Sequence, residues 1–238
     1  MSKQIKISLL LLLISYLTGC STSKATISPT PTSLLQISKV TIPYNNDPEI
    51  RGTLFGSGDL AVILVHMGNI SNSQKDWANF ARIAARENIT VLTIDVPGFG
   101  KTPGDGNSST FEKSVLAAVV YLENLGFDKI VCIGASAGGN ACLSIAAQYP
   151  LAGLGVISSG HPISEFNYSA LIMPKFFACT EDDTSGLFVH AQKEMYKNSP
   201  EPKELHIFQG DSHGTEILLS FFQKELTEKL MLFLNSIQ

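Results

Sequence analysis

The sequence predicts an α/β protein of three layers, a mostly parallel sheet with helices on both faces. Three observations predict it. From about residue 36 to the C-terminus, short apolar runs that suit strands alternate with longer stretches of helical spacing. Several of those runs, AVILVH, TVLTID and KIVCIGA, are continuously apolar, as strands buried on both faces are. The chain has 238 residues, 44% hydrophobic and only 16% charged, which suits one large domain with a substantial core and excludes a disordered chain.

Each element follows in order. QISKVTIP and EIRGTLFG alternate apolar and polar residues around the turn-rich YNNDP, predicting an antiparallel pair at a sheet edge. AVILVH is the next strand, and Trp77, Phe80, Ile83 and Ala84 then recur at helical spacing before TVLTID. Ser109, Thr110, Phe111 and Glu112 form a capping-box pattern that opens a helix through Leu125, with Gly126 as its stop. KIVCIGA is a strand and AGGNACLSIAAQYP a helix; GLGVIS and KFFAC are strands. SGLFVHAQKEMYK is a helix, ELHIFQG the last strand, and TEILLSFFQKELTEKLMLFLNSI one long amphipathic helix. About eight strands result, with helices alternating after the third. No repeat of solenoid period occurs.

The first residues are of another kind. Lys3 and Lys6 flank the start of a segment whose apolar run, ISLLLLLISYL, ends in Leu17-Thr18-Gly19-Cys20. The run is too short for a membrane span, which takes about 20 apolar residues, and matches a secretory signal. Its L-T-G-C ending resembles the lipobox of bacterial lipoproteins. That resemblance implies a signal peptide over 1–19, cleavage before Cys20, and lipid attachment at Cys20, which holds the chain to a bacterial membrane on the extracytoplasmic side. An ordinary signal peptide that happens to end in cysteine is the alternative. Residues 20–35, rich in Ser, Thr and Pro, then form a flexible tether, and 36–238 form the folded domain.

Three cysteines remain in the body, Cys132, Cys142 and Cys179. An odd count allows a free reactive thiol, but all three lie in apolar or Ala-rich runs and are expected to be small core residues. No C-x-x-C pair or zinc-protease helix motif occurs, and GFGKT lacks the glycine a phosphate loop needs, Asp95 standing there instead. No metal or cofactor is therefore expected. A net charge of −4 without a basic block argues against nucleic acid as a partner.

The chemistry centres on Gly134-Ala135-Ser136-Ala137-Gly138, where the strand KIVCI meets the following helix. A sharp strand-to-helix turn lifts a serine hydroxyl above the sheet and needs small neighbours, because the backbone crowds there. Ser136 could still be a plain helix cap. As a nucleophile it needs a base, and the base an orienting carboxylate. His213, in GDSHGTE, follows the last strand, and Asp182 and Asp183, in TEDDTSG, follow KFFAC. The order Ser, Asp, His, each just past a strand, is that of nucleophile-elbow hydrolases.

From about Gln36 the whole body resembles the α/β-hydrolase superfamily. VILVHMG is similar to its oxyanion-loop strand, commonly ending His-Gly, and IDVPGFGKT to its D-x-x-G-x-G turn. The resemblance implies an elbow at Ser136, a base at His213, and an acid at Asp183 with Asp182 as runner-up. It also implies an oxyanion hole from the backbone N–H of Ala137 and of Met67 or Gly68. His66 then shapes the oxyanion loop, Asp95 orders its own turn, and His161, His190 and His206 are structural or exposed. Only HPISEFNYSALIMP separates VISSG from KFFAC, too short for a helical cap domain, so the expected site is open. An open site suits soluble or polymeric acyl substrates. Three functions stay in view: a carboxylic ester hydrolase, an amide or peptide hydrolase with the same triad, and a non-catalytic binding lipoprotein on this fold.

Overall fold

The computed structural model describes residues 35–44, 49–160 and 166–238. The expected signal peptide, Cys20, almost all of the tether and His161 lie outside the described residues. The elements are β1 (Ile37–Ile42), β2 (Ile50–Phe55), β3 (Leu60–Val65), α1 (Ala78–Arg86), β4 (Ile89–Asp95), α2 (Thr110–Asn124) and β5 (Lys129–Ala135). There follow α3 (Ala137–Ala146), β6 (Gly153–Ile157), β7 (Lys175–Thr180), α4 (Leu187–Asn198), β8 (Lys203–Phe208) and α5 (Gln223–Asn235). The strands make one 8-stranded sheet in the order β1-β2-β4-β3-β5-β6-β7-β8. The predicted α/β, three-layer fold is thus present. β1–β2 and β2–β4 pair antiparallel, and every other pair is parallel.

The period-2 geometry of strands divides the core in two. Ile63 and Val65 of β3, with Leu92 and Ile94 of β4, face α2 and α3 through Val115, Val119 and Ile145. Val62 and Leu64, one residue out of phase, face α1 and α5 through Phe80, Ala84, Leu230 and Leu234. All six residues of β3 are buried, which explains its unbroken apolar run. Trp77 is fully buried and its indole N–H donates to the Val65 carbonyl at 3.0 Å, seating the segment before α1 against the end of β3. Because the central strands are parallel, their C-terminal ends share one edge of the sheet. The strand order departs in opposite directions from β3, to β4 and to β5, and the crevice at such a switch point is where open α/β sheets hold ligands.

Three expectations need correction. Cys132 and Cys142 are not separate core thiols: they form a disulfide across a sequence separation of 10, with Cα atoms 5.7 Å apart. Cys179 stays a buried free thiol, its pKa pushed up to about 12 by burial, so it is chemically quiet. The capping box at Ser109 does not form, since Ser109 is itself helical and its side chain makes no cap bond. Asn107 caps instead, its side-chain oxygen accepting from the Ser109 N–H at 3.0 Å. The C-terminal stretch is not one helix but a 3-10 turn over Gly214–Leu219 followed by α5. Ser220 breaks it by offering its Oγ to the Phe222 N–H at 3.1 Å, a local bond that competes with helix.

Candidate active site

Ser136 stands between β5 and α3 with φ 52° and ψ −117°, in a left-handed region that costs on the order of 1–3 kcal/mol for a residue with a Cβ. Its surroundings hold it there. Its N–H donates to the Ile157 carbonyl at 2.8 Å, and its carbonyl accepts from the Asn140 N–H at 3.0 Å and the Ser159 hydroxyl at 2.9 Å. The flanking glycines are steric necessities. A Cβ on Gly134 would lie 2.2 Å from the Gly138 oxygen, and one on Gly138 would lie 2.5 Å from the His66 oxygen. Those obstacles are backbone, so the close approach of α3, β5 and the loop after β3 requires glycine.

His213 comes next. The loops after β7 and β8 are bound together: Glu181 N–H donates to Phe208 O, Asp182 N–H to Gly210 O, and the Thr180 hydroxyl to Ser212 O. That lashing brings the His213 ring nitrogen Nδ1 to 2.8 Å from Oδ2 of Asp183, whose side chain is 1% exposed. An ionised carboxylate can only accept, so in a neutral imidazole this bond puts the ring proton on Nδ1 and the lone pair on Nε2. Asp182, the runner-up, is exposed, and the ring bond goes to its neighbour. The His213 N–H is held by Glu216 at 3.1 Å, and the Phe188 ring packs 4.5 Å from the imidazole.

The loop after β3 supplies the opposite wall. His66 is fully buried, and its Nε2 lies 3.1 Å from the Val96 N–H. A backbone N–H can only donate, so Nε2 accepts and Nδ1 donates to the Met67 carbonyl at 2.7 Å. His66 is therefore neutral and fixed as one tautomer. In a trans peptide the C=O and the next N–H point opposite ways, so fixing the Met67 carbonyl toward buried His66 turns the Gly68 N–H outward. Asp95 orders more than its own turn: its carboxylate accepts from the Lys101 N–H at 2.9 Å and from both the backbone and side-chain amide of Gln74 at 2.8 and 2.7 Å. The turn after β4 and the segment before α1 are thereby joined.

Burial lowers the His66 pKa from its ordinary 6.5, against the raising influence of the Met67 carbonyl, Asp95 and Asp76. The unfolded chain thus binds a proton that the folded chain refuses. The associated stability is whole above pH 6.5 and declines as pH falls from there toward the lower folded value. Between pH 7.5 and pH 5 the urea midpoint of the native chain is expected to drop more than that of His66→Gln, whose amide oxygen can still accept from Val96. Equal drops would count against His66 as the source.

Met67, Gly68, Ser136, His213 and Glu216 line one cleft of about 460 Å³ at the C-terminal edge of the sheet. Ala137 begins α3, so its N–H is among those a helix leaves without an internal acceptor, and a Cβ on Gly68 would touch its methyl at 3.1 Å. The structure thus gathers Ser136, Asp183, His213, Ala137, Met67 and Gly68 at one place. His190 is exposed, and His206 pairs with Glu204 at 2.8 Å on β8, apart from the cleft. A larger groove of about 670 Å³ between β1 and α2, walled by Thr41, Tyr44, Leu116 and Val120, contains no nucleophile–base pair. Ser159 and Phe188 are the neighbours sequence reasoning missed; their only signal was a place just after β6 and in the first turn of α4.

Residues 61–224 match the family described as alpha/beta hydrolase fold. The 2-hydroxy-6-oxononadienedioate/2-hydroxy-6-oxononatrienedioate hydrolase of Paraburkholderia phymatum is 32% identical over 101 residues, 40% of this chain and 34% of that protein. The match thus spans about a third of the length of the curated relatives. Among solved structures, a predicted hydrolase from Thermoplasma acidophilum superposes with a TM-score of 0.69 at 18% identity, covering 85% of this chain and 99% of its own. An esterase from Pyrococcus furiosus gives 0.67 at 17% identity, covering 85% and 93%. At those identities the likeness is one of fold. The family match covers well over half of the chain, and the chain belongs to the alpha/beta hydrolase fold family.

Proposed function

We propose that this chain is a serine hydrolase that cleaves carboxylic esters through an acyl-enzyme, held to a bacterial envelope by a lipid on Cys20. The observation that carries the chemistry is the 2.8 Å bond from His213 Nδ1 to buried Asp183, beside the cleft that His213 and Ser136 both line. In the proposed reaction Ser136 Oγ attacks the ester carbonyl while His213 Nε2 takes its proton. The oxygen, now negative, is met by the N–H groups of Ala137 and Gly68, each worth about 3 kcal/mol in the transition state. Collapse expels the alcohol, which leaves with the proton from His213. Water then attacks the acyl carbon by the same route and frees Ser136. Asp183 keeps the imidazole in the accepting tautomer and stabilises the imidazolium as it forms.

Residues 158–174 are all that joins β6 to β7, which supports a site without a cap and a soluble or polymeric acyl substrate. An amide or peptide substrate would use the same groups, and the relative rates on matched ester and amide substrates separate the two. The disulfide supports export, because such bonds persist in oxidising compartments. Cys20→Ser is expected to abolish incorporation of radiolabelled palmitate into the chain; unchanged incorporation would sink a lipid anchor at Cys20. The catalytic reading is tested by covalent labelling of the detergent-solubilised chain with a fluorophosphonate beside turnover of short p-nitrophenyl esters. A folded chain that neither labels nor turns over would favour a binding role.

A further inference from the structure

The Met67 side chain is buried at 5% exposure, although its neighbours Gly68 and Asn69 are exposed at the cleft. It does not simply fill the sheet face. A Cβ placed on Gly214 would lie 2.4 Å from the Met67 sulfur, 3.1 Å from its Cγ and 3.2 Å from the Ala135 Cβ. The thioether therefore lies against the backbone of the residue after His213 and beside the residue before Ser136. Three chain segments meet on it: the loop after β3, the end of β5 and the start of the 3-10 turn after β8. Gly214, at φ 53°, leaves room for the sulfur.

We propose that the Met67 side chain is a positioning residue of the reaction centre, a spacer that sets His213 at its working distance from Ser136 and from the loop N–H groups. The proposal rests on the serine-hydrolase reading. The side chain, only 5% exposed, acts through His213 and the loop backbone rather than on the substrate. A methionine suits the place because its unbranched, polarizable chain fits an irregular gap between three loops. Shortening the side chain removes the packing that keeps the His213 loop out from β3, and the proton transfer to Nε2 tolerates little misplacement.

The test compares the native full chain with Met67→Ala, Met67→Leu, Gly214→Ala and the double variant Met67→Ala/Gly214→Ala. The readouts are kcat, KM and fluorophosphonate labelling rate, all per folded molecule judged by near-ultraviolet circular dichroism. Met67→Ala is expected to lower kcat and labelling rate by about 10-fold or more with KM nearly unchanged, as misplaced catalytic groups do. Met67→Leu, of similar volume, is expected to recover most of that loss. Gly214→Ala is expected to be worse than the double variant, in which the space vacated by the sulfur takes the new methyl. Native-like kcat in Met67→Ala, or a Leu variant as slow as Ala, overturns the proposal. If the native chain itself does not label, the underlying reaction is what has failed, and the two failures are distinct.

Discussion

Ser136→Ala is expected to abolish fluorophosphonate labelling and to lower ester turnover by at least about 10⁴-fold, and His213→Ala is expected to do the same to turnover. The size follows from how the groups act together. In the proposed mechanism the serine oxygen is the atom that bonds to the acyl carbon, and His213 Nε2 is the base that takes its proton. Either loss leaves only the loop and helix N–H groups to stabilise charge on a carbonyl attacked by water. The two losses are not additive, so the double variant is expected to be no worse than the poorer single one. Stability should change little in Ser136→Ala, because the strain belongs to the backbone at φ 52°, which alanine inherits. Residual turnover within tenfold of native in a folded Ser136→Ala would remove the serine from the mechanism.

The second large effect separates two adjacent carboxylates. Asp183→Asn is expected to lower kcat by about 10⁴-fold, while Asp182→Asn stays near native. An asparagine at 183 can turn its NH₂ toward His213 Nδ1, which makes Nδ1 the acceptor and moves the ring proton to Nε2. A protonated Nε2 cannot take the proton of Ser136. Asp182 is exposed and contributes its backbone N–H to Gly210, a bond its asparagine keeps. Steady-state kinetics on one p-nitrophenyl ester decides between them, and a larger loss at 182 would reverse the assignment.

The order Ser136, Asp183, His213 was legible because each residue needs only the strand before it, and strands declare themselves by composition. The family resemblance put 183 ahead of 182, but the runner-up stayed open because side chains one apart point differently according to loop conformation, and here Thr184 and Ser185 sit at φ 49° and 56° just beyond them. The disulfide escaped notice for a similar reason. Cys132 and Cys142 belong to different elements whose closeness arises only when α3 folds back on β5. Helix ends were misjudged where two local donors or acceptors competed, Asn107 against Ser109 and Ser220 against continuation of the turn. Met67 was expected to matter through its backbone alone; its side-chain role depends on Gly214, 147 positions along the chain, which no local pattern reports.

The Cys132–Cys142 bond encloses residues 133–141, and with them the strained serine, in a covalent ring. A ring this small has already surrendered much of its freedom before the chain folds, a bias of roughly 3 kcal/mol on chain-entropy arguments. The corner is thus partly bent in the unfolded ensemble, and the sheet and α3 have less of the bending to do. Strand and helix are also prevented from drifting apart at the one point where drift would let Ser136 relax to an ordinary conformation. The hydroxyl is kept cocked by a clasp buried in the core rather than set at the cleft, whatever the loops around the mouth are doing.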